Sequence, residues 1–238
     1  MAERSLRHVP RRVMLFLGLA FAGQLLWHGA RSDLRAEAED LRQPPSVASL
    51  RVLSLGEPLV LAKALMLWLQ AHDNQPGISI PFLALDYRVV RAWLGRILDL
   101  DPRGQYPLLA ASRVYGVVPD AQRKRVMLEF VYQRFFEDPG RRWPWLAHAA
   151  IVAKHRLRDL PLALKYARAI TEYAHGAGVP DWARHMSVVI LEDMGELDAA
   201  RFLIGGLIHS GRVTDPHEIW FLEQKLAELD ARQGAQNP

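Results

Sequence analysis

Proline, glycine and aspartate interrupt the sequence at short intervals, and the segments between these breaks carry apolar residues at helical spacing. Apolar residues that recur every three or four positions form one face of an α-helix. From residue 46 onward, no run of alternating apolar and polar residues is long enough to indicate a strand. The sequence therefore predicts an all-α body, with helices at 54–69, 82–100, 106–117, 120–137, 144–156, 160–174, 181–194, 197–209 and 216–232.

Several of the breaks contain start and stop signals for helices. Ser54 and Glu57 have the spacing of a capping box, which predicts that the first body helix begins there. Asp101 and Pro102 are predicted to end the second helix, and the Asp-Pro-Gly sequence at 138–140 is predicted to end the fourth. The short connections that remain are typical of stacked antiparallel helices.

The corners between successive helices recur at a fixed distance along the chain. Ala163 and Ala200 occupy matching positions after two of these corners and lie 37 residues apart, and Pro102 and Pro139 are separated by the same 37 residues. A repeat of this length indicates a solenoid, because one helix pair cannot bury its apolar face alone and has to stack on the next pair.

The corner at 191–200 resembles the tetratricopeptide (TPR) family, whose repeat unit is about 34 residues long. Gly195 stands at the corner, Leu197 at the position that is aromatic or leucine, and Ala200 where the two helices approach closely. One unit earlier Ala163 matches again, but Arg158 replaces the corner glycine.

A further segment, 97–102, ends in Pro102 and resembles the end of another unit. The resemblance covers residues 57–232 and is strong for the last two units. It implies a right-handed solenoid of stacked antiparallel helix pairs that serves as a protein-binding scaffold. It does not identify the ligand.

Residues 13–30 form an uncharged stretch of 18 residues behind a basic tail, 1–12. As a helix this stretch is about 27 Å long, which is close to the hydrocarbon thickness of a bilayer. The tail contains four arginines, and the arginines after the stretch are mixed with acidic residues. The sequence therefore predicts one N-terminal transmembrane signal-anchor, with the N-terminus in the bacterial cytoplasm and the body in the periplasm.

Two alternatives to the anchor stay open. In the first, residues 13–21 are the apolar region of a signal peptide that is cleaved near Ala22, which leaves a soluble periplasmic protein. In the second, the stretch is a buried core helix. In either case residues 31–56 are interpreted as a polar helix and linker, and residues 233–238 as a disordered tail.

The formal net charge of +4 belongs mostly to the basic tail, which has four arginines and one glutamate. Because the body is nearly neutral, it lacks the basic surface that nucleic-acid binding requires, and no nucleic-acid partner is expected. The chain has no cysteine, which excludes disulfides, thiolate metal sites and cysteine nucleophiles.

The histidines and carboxylates give weak signals for catalysis or metal binding. Glu172 and His175 have the Glu-x-x-His spacing of a di-iron ligand pair, but the sequence contains no second copy. Glycine-rich phosphate loops and the Gly-x-Ser-x-Gly nucleophile motif are absent from the sequence. We therefore expect no enzyme, no metal and no cofactor. The alternative is an all-α hydrolase or lyase in which His148, His155, Glu172 and His175 meet in one cleft.

Two segments are candidate partner-binding surfaces. One combines arginines with tryptophans, residue types that are enriched at interface hot spots, and consists of Arg141, Arg142, Trp143 and Trp145. The other is a basic run that suits an acidic partner or lipid headgroups, and consists of Arg123, Lys124 and Arg125.

The expected function is that of a membrane-anchored, TPR-like scaffold or adaptor in the bacterial cell envelope, bound to a periplasmic or inner-membrane protein. The alternative of the same class is an accessory or assembly subunit of an inner-membrane complex.

Overall fold

A computed structural model of the chain describes residues 10–30, 40–72, 74–75, 78–79, 84–176, 178–211 and 213–236. Within these residues the protein is all-α, as predicted, apart from two strands of two residues each. The helices are α1 (Arg11–Ala30), α2 (Val47–Leu53), α3 (Pro58–Ala71), α4 (Tyr87–Leu100), α5 (Tyr106–Leu109), α6 (Ala121–Phe135), α7 (Pro139–His155), α8 (Leu160–Tyr173), α9 (Asp181–Arg184), α10 (Met186–Asp193), α11 (Leu197–His209) and α12 (Pro216–Gln236). The strands are β1 (Asn74–Gln75) and β2 (Ile78–Ser79).

The chain divides into two units, one that contains α1 and one, here called the body, that contains α2 to α12. Among the described residues no single helix has both the length and the apolarity needed to cross a membrane. The pair α2 and α3, bent by 107° at the connection between them, meets both criteria when the two helices are taken together.

Aspartate side chains fix the beginnings of several body helices. Asp86, Asp120 and Asp159 accept hydrogen bonds from backbone N–H groups in the first turns of α4, α6 and α8, which otherwise lack partners. The predicted start of a helix at Asp120 is therefore confirmed, and so is the end of α4 before Asp101. The start predicted at residue 82 is wrong, because the cap at Asp86 places the first turn of α4 at Tyr87.

The segment predicted as one helix at 106–117 is helical throughout, but only its first four residues are α-helical. A π-helical turn, Ala110–Val114, and a 3₁₀ turn, Tyr115–Val117, follow α5. Gly116 permits this change of pitch, since a β-carbon there would lie 2.7 Å from the carbonyl oxygen of Ala111.

Three other boundaries differ from the prediction. Ser54 does not open α3; it ends α2, and its hydroxyl donates a hydrogen bond to the carbonyl of Arg51 at 2.6 Å. The segment interpreted as linker therefore includes a helix, α2, whose Leu50 is buried. Helix α7 begins at Pro139 rather than at Pro144, because a proline in the first helical position has no N–H to leave unpaired.

Helix α12 continues to Gln236, so the interpretation of 233–238 as disordered is wrong for residues 233–236. The predicted helix at 181–194 is interrupted at His185, which ends α9 and begins α10. The polar helix expected within 31–39 and the basic tail at 1–9 lie outside the described residues.

The body helices pack mainly on their neighbours along the chain: α3 on α4, α4 on α6, α6 on α7, α7 on α8, α8 on α10, α10 on α11 and α11 on α12. Ala163 and Ala200 are completely buried at the first turns of α8 and α11, where the small side chain permits a close approach. Leu197, at the start of α11, is partly buried against the core.

The two repeat corners have the same left-handed backbone conformation. Gly195 has φ +75°, and the N–H groups of Gly195 and Glu196 bond back to Glu192 and Leu191, which is the Schellman pattern. Arg158, 37 residues earlier, has φ +54° without the freedom of glycine.

We expect Arg158→Gly to stabilise the body by about 0.5 kcal/mol, because removing the β-carbon relieves more strain than the glycine adds in unfolded-chain entropy. The matched change at the other corner, Gly195→Ala, is expected to destabilise by about 1 kcal/mol. Urea unfolding at a constant m-value measures both. Destabilisation by Arg158→Gly would mean that the arginine side chain stabilises the corner.

Candidate functional site

The arginine–tryptophan segment does not form one exposed surface. Arg141 is half exposed and pairs with Asp138, whereas Arg142 is only 1 % exposed. The guanidinium of Arg142 pairs with Glu137 at 2.7 Å and donates hydrogen bonds to the carbonyls of Arg134 and Pro102. The prediction that Arg142 contacts a partner is therefore wrong, since its charge is used inside the body.

The two tryptophans of this segment are partly buried and tie loops to α7. The indole N–H of Trp143 donates to the carbonyl of Gly178 at 3.2 Å, and its ring meets the edge of Trp182 with 5.5 Å between centroids. The indole N–H of Trp145 donates to the side chain of Gln105 at 2.6 Å. Both rings therefore have structural partners within the body.

The basic run in α6 is also divided by the helix. Lys124 is buried, so its assignment to a solvent-facing binding surface is wrong. Arg123 packs over the ring of Tyr87, and Arg125 pairs with Asp159 at 2.7 Å. The three side chains do not form a single basic patch.

A cleft of about 850 Å³ in the C-terminal half brings together polar residues that the sequence had separated. Helix α8 supplies one wall with Arg168, Thr171 and Glu172, and α11 supplies the other, which is apolar. We call this site the C-terminal cleft; its remaining lining residues are His175, Gly176, Arg184, His185, Ser187, Phe202, Leu203, Gly206, Leu207, Ser210, Val213 and Glu218. Of the four residues named for the hydrolase or lyase alternative, Glu172 and His175 line this cleft, whereas His148 and His155 do not.

The floor of the cleft contains a buried group of charged residues. Glu218, at the start of α12, is 5 % exposed, and its two carboxylate oxygens face different partners. One oxygen lies 2.9 Å from Nε2 of His185, and the other lies 3.2 Å from Nη2 of Arg184. Arg184 also pairs with Asp181 and donates to the carbonyl of Val179.

The contact between His185 and Glu218 is close but poorly aligned. Within the part of the chain that the structure describes, neither Nε2 of His185 nor Oε1 of Glu218 has a hydrogen-bond partner of good geometry, although both atoms are buried. The imidazole stacks on Phe221 with 12° between the ring planes. The imidazole nitrogen and the carboxylate oxygen thus lie side by side in the floor, and a polar group of a ligand can form hydrogen bonds with both.

Two hydroxyl groups lie beside this pair. Thr171 donates to the carbonyl of Arg184 at 2.6 Å, and its oxygen lies 3.0 Å from the hydroxyl of Ser187, which is completely buried. These bonds join α8 to α10 at the floor.

Burial shifts the pKa values of the two central groups in opposite directions. It lowers the pKa of His185; Asp181 opposes this shift, and the Arg184 guanidinium adds to it. It raises the pKa of Glu218, and the Arg184 charge offsets part of that increase. The imidazole is therefore neutral at pH 7 and able to accept or donate a hydrogen bond.

We expect the free energy of unfolding of the body to fall as pH falls from about 7 to 5. Each group that binds a proton only in the unfolded chain lowers it by at most about 1.4 kcal/mol per pH unit. His185 contributes with this sign because its folded pKa lies below its unfolded value, so the unfolded chain binds the proton first. The lowered pKa of His148, due to burial and then Arg113, contributes in the same direction, whereas the raised pKa of Glu218 acts in the opposite one.

The measurement is urea unfolding of the parent and of His185→Gln across this pH range. The variant, which cannot titrate at this position, is expected to have the shallower slope. Equal slopes would contradict a depressed pKa at His185.

The sequence contains little local signal for this site. His185 and Glu218 belong to different helices, and neither has a motif partner nearby in the chain. The one usable hint was the polar run Asp181, Arg184, His185 at the beginning of a helix. Among the described residues, no group of three or more histidine, aspartate or glutamate side chains is arranged to hold a metal ion.

Comparison with known proteins gives no relative from which a function could be transferred. No protein-family model, curated protein or solved structure matches the chain. The geometry of the C-terminal cleft is therefore the basis on which a function is assigned.

Proposed function

We propose that this protein is a membrane-anchored, TPR-like adaptor that binds an amphipathic helix of a partner protein in the C-terminal cleft. The observation that carries the proposal is Phe202, a large aromatic side chain that is 86 % exposed at the edge of a cleft of about 850 Å³. An aromatic residue in this position costs solubility unless a partner covers it, and aromatic residues dominate interface energetics.

The lining of the cleft defines the chemistry of the partner. Leu203 and Leu207 extend the apolar wall from Phe202, while two arginines and two glutamates at the other wall and the floor balance each other in charge. A strongly charged segment has no complement here. The arrangement fits a helix whose apolar stripe packs on α11 and whose polar groups reach the floor.

The repeat architecture supports an adaptor rather than an isolated binding domain. Two corners of matching backbone conformation stand 37 residues apart, and each is followed by a buried alanine in the next helix. We infer from these corners that the C-terminal helix pairs belong to a right-handed TPR-like solenoid, an architecture that presents long binding surfaces to other proteins.

The location follows from the N-terminal sequence. We infer that residues 13–30 anchor the chain in the inner membrane, with the arginine-rich tail in the cytoplasm and the body in the periplasm. The partner is then a periplasmic or inner-membrane protein, and the adaptor can serve as an accessory or assembly subunit of a membrane complex.

A photo-crosslinking amino acid at position 202 tests the cleft. We expect a discrete adduct in membranes from cells that express the full chain. We expect no such adduct from the same group at Val189, which is exposed on α10 outside the cleft. Adding Leu207→Asp should abolish the adduct, because the carboxylate places a charge in the apolar wall. Equal adducts at 202 and 189, or none at 202, would contradict the proposed binding site.

A reporter fused after Pro238, combined with carbonate extraction of membranes, tests the anchor. We expect the C-terminus to lie in the periplasm and the protein to stay in the membrane fraction after carbonate extraction. An external but extractable body would mean cleavage near Ala22, and an internal C-terminus would contradict the periplasmic location.

A second candidate function rests on the buried pair of His185 and Glu218. A neutral imidazole beside a carboxylate can act as a general base. The pair therefore favours the hydrolase or lyase alternative, with residues other than the His148, His155, Glu172 and His175 predicted from the sequence. If His185→Gln leaves crosslinking at 202 unchanged but abolishes an activity found by substrate screening, the cleft is catalytic. If the same variant weakens crosslinking, the pair serves partner binding.

A further inference from the structure

The connection between α2 and α3 exposes a continuous set of large apolar side chains. We call this region the apolar elbow; its most exposed large apolar residues are Val52, Leu53, Leu55, Leu59, Val60 and Leu67. Leu55, in the turn itself, is 92 % exposed. A cluster of exposed apolar side chains of this size marks a contact surface.

The turn is built to hold this shape. Leu55 has φ +50° and Gly56 has φ +93°, so two successive residues adopt left-handed conformations between helices that are bent by 107°. A leucine in this conformation is strained, and hydration of its side chain adds a further cost. Burial of the leucine in an apolar medium removes the second cost.

Both sides of the elbow are apolar. Its inner side packs into the body through the buried residues Leu50, Ala62, Met66 and Leu69. Its outer side carries the exposed set. Residues 47–71 contain only three charged side chains, Arg51, Glu57 and Lys63, all exposed. Helices that are apolar all round are found within large cores or in contact with lipid.

Neither helix of the elbow is long enough to cross a bilayer by itself. At 1.5 Å per residue, the 7 residues of α2 and the 14 residues of α3 are about 10 Å and 21 Å long, against about 30 Å of hydrocarbon. The bend also prevents the two helices from forming one span. An elbow in contact with lipid therefore lies in the interface, parallel to the membrane plane.

Two cations and a groove indicate phospholipid. The elbow contains two cations, Arg51 and Lys63, and one anion, Glu57, so its net charge is positive, which suits anionic headgroups. Lys63 also lines an apolar groove of about 580 Å³ between α3 and α5, with Met66, Pro107 and Leu109 among its walls and Asp101 as its acidic group. A groove with this lining can hold part of an acyl chain.

The chain length connects the elbow to the proposed anchor. Sixteen residues, 31–46, separate Ala30 from Val47. Fully extended, they reach at most about 55 Å. If residues 13–30 are in the bilayer, the elbow therefore lies at most about 55 Å from its surface, and this step rests on the proposed function.

We propose that the apolar elbow docks on the membrane surface, with Leu53 and Leu55 among the acyl chains and Arg51 and Lys63 at anionic phospholipid headgroups. The body is then fixed to the bilayer at a second point, in addition to the anchor, which orients its binding surface.

The absence of cysteine provides a direct test, because any introduced cysteine is unique. Single cysteines replace Leu55 in the elbow, Leu19 in α1 and Val189 in α10, all exposed positions. Each full-length variant is checked for folding by circular dichroism, spin-labelled and reconstituted in vesicles of phosphatidylethanolamine and phosphatidylglycerol. Collision rates with lipid-dissolved oxygen and with a water-soluble nickel chelate are then measured.

We expect the labels at positions 55 and 19 to collide more often with oxygen than with the nickel chelate. The label at position 189 should collide more often with the chelate. Adding Arg51→Glu and Lys63→Glu should raise the collision rate of the label at position 55 with the chelate in anionic vesicles, because the elbow then leaves the membrane surface. A lipid-exposed Leu19 label with a water-exposed Leu55 label would overturn the elbow proposal and leave the anchor intact. A Leu55 label shielded from both reagents would also overturn it, because protein rather than lipid would then cover the elbow.

If the labels at Leu19 and Leu55 both contact water, the anchor and the elbow proposal fail together. If Leu55 contacts lipid while Leu19 does not, the elbow is an independent membrane site and the anchor fails.

Discussion

Replacing Arg142 with alanine is expected to lower the free energy of unfolding of the body by about 3–5 kcal/mol. The guanidinium, 1 % exposed, joins three segments: the end of α4 through the carbonyl of Pro102, the end of α6 through the carbonyl of Arg134, and Glu137 before α7. Its loss removes one donor from each of the two carbonyls and from one oxygen of Glu137, whose other oxygen still pairs with Arg134 at 2.7 Å, and it leaves a cavity among them. Urea unfolding followed by circular dichroism measures the change.

The neighbouring residue provides the control. Arg141 is 49 % exposed in its side chain and pairs with Asp138 on the surface, so Arg141→Ala is expected to cost at most about 1 kcal/mol. Arg142→Lys keeps the charge but loses the fork that serves several acceptors, and is expected to recover only part of the loss. If the two alanine variants were equally stable, the buried arginine would not hold these helices together.

This pair of arginines shows where inference from sequence ends. Arg141 and Arg142 are identical in type and adjacent in the chain, and the sequence alone predicts that both belong to one binding surface. Their difference arises because successive residues in a helix point about 100° apart, and only the position of α4 and α6 determines which one is enclosed.

Features that depend on a few neighbouring residues were predicted well. The cap at Asp120, the corner at Gly195 and the limits of α11 follow from local backbone chemistry, in which the partners lie within five positions. Boundaries with competing local signals were predicted less well. Ser54 had the spacing of a capping box, but two left-handed residues and Pro58 moved the helix start by several positions.

The candidate site could not be predicted because the bonds that assemble it are not local. Glu218 reaches His185 and Arg184 across a gap of more than thirty residues, and Thr171 reaches Ser187 from another helix. The chain contains these residue types, but only the packing of α8 on α10 and the contacts of Glu218 with Arg184 and His185 bring them together in the floor.

Glu218→Ala is expected to destabilise the body by about 1–3 kcal/mol, because it removes the carboxylate oxygen that accepts from Arg184 at 3.2 Å and leaves a cavity beside the buried His185 imidazole. The expected loss is smaller than for Arg142→Ala, since Arg184 keeps its bonds to Asp181 and to the carbonyl of Val179. Glu223→Ala, at an exposed position on the same helix, is the matched control and is expected to change stability by less than about 0.5 kcal/mol. Urea unfolding at pH 7 compares the two; equal stabilities would contradict the role of Glu218 in the floor.

Glu218→Gln separates the structural role of the floor from a role in binding. The amide fills the same space and its oxygen can still accept from Arg184, so about half of the stability lost in the alanine variant should return. It cannot present a carboxylate to a partner, however. If the floor contributes to recognition, the adduct from the crosslinker at position 202 should weaken in a variant that remains folded. An undiminished adduct would confine recognition to the apolar wall of α11, with Glu218 serving only to hold α12 against α9 and α10.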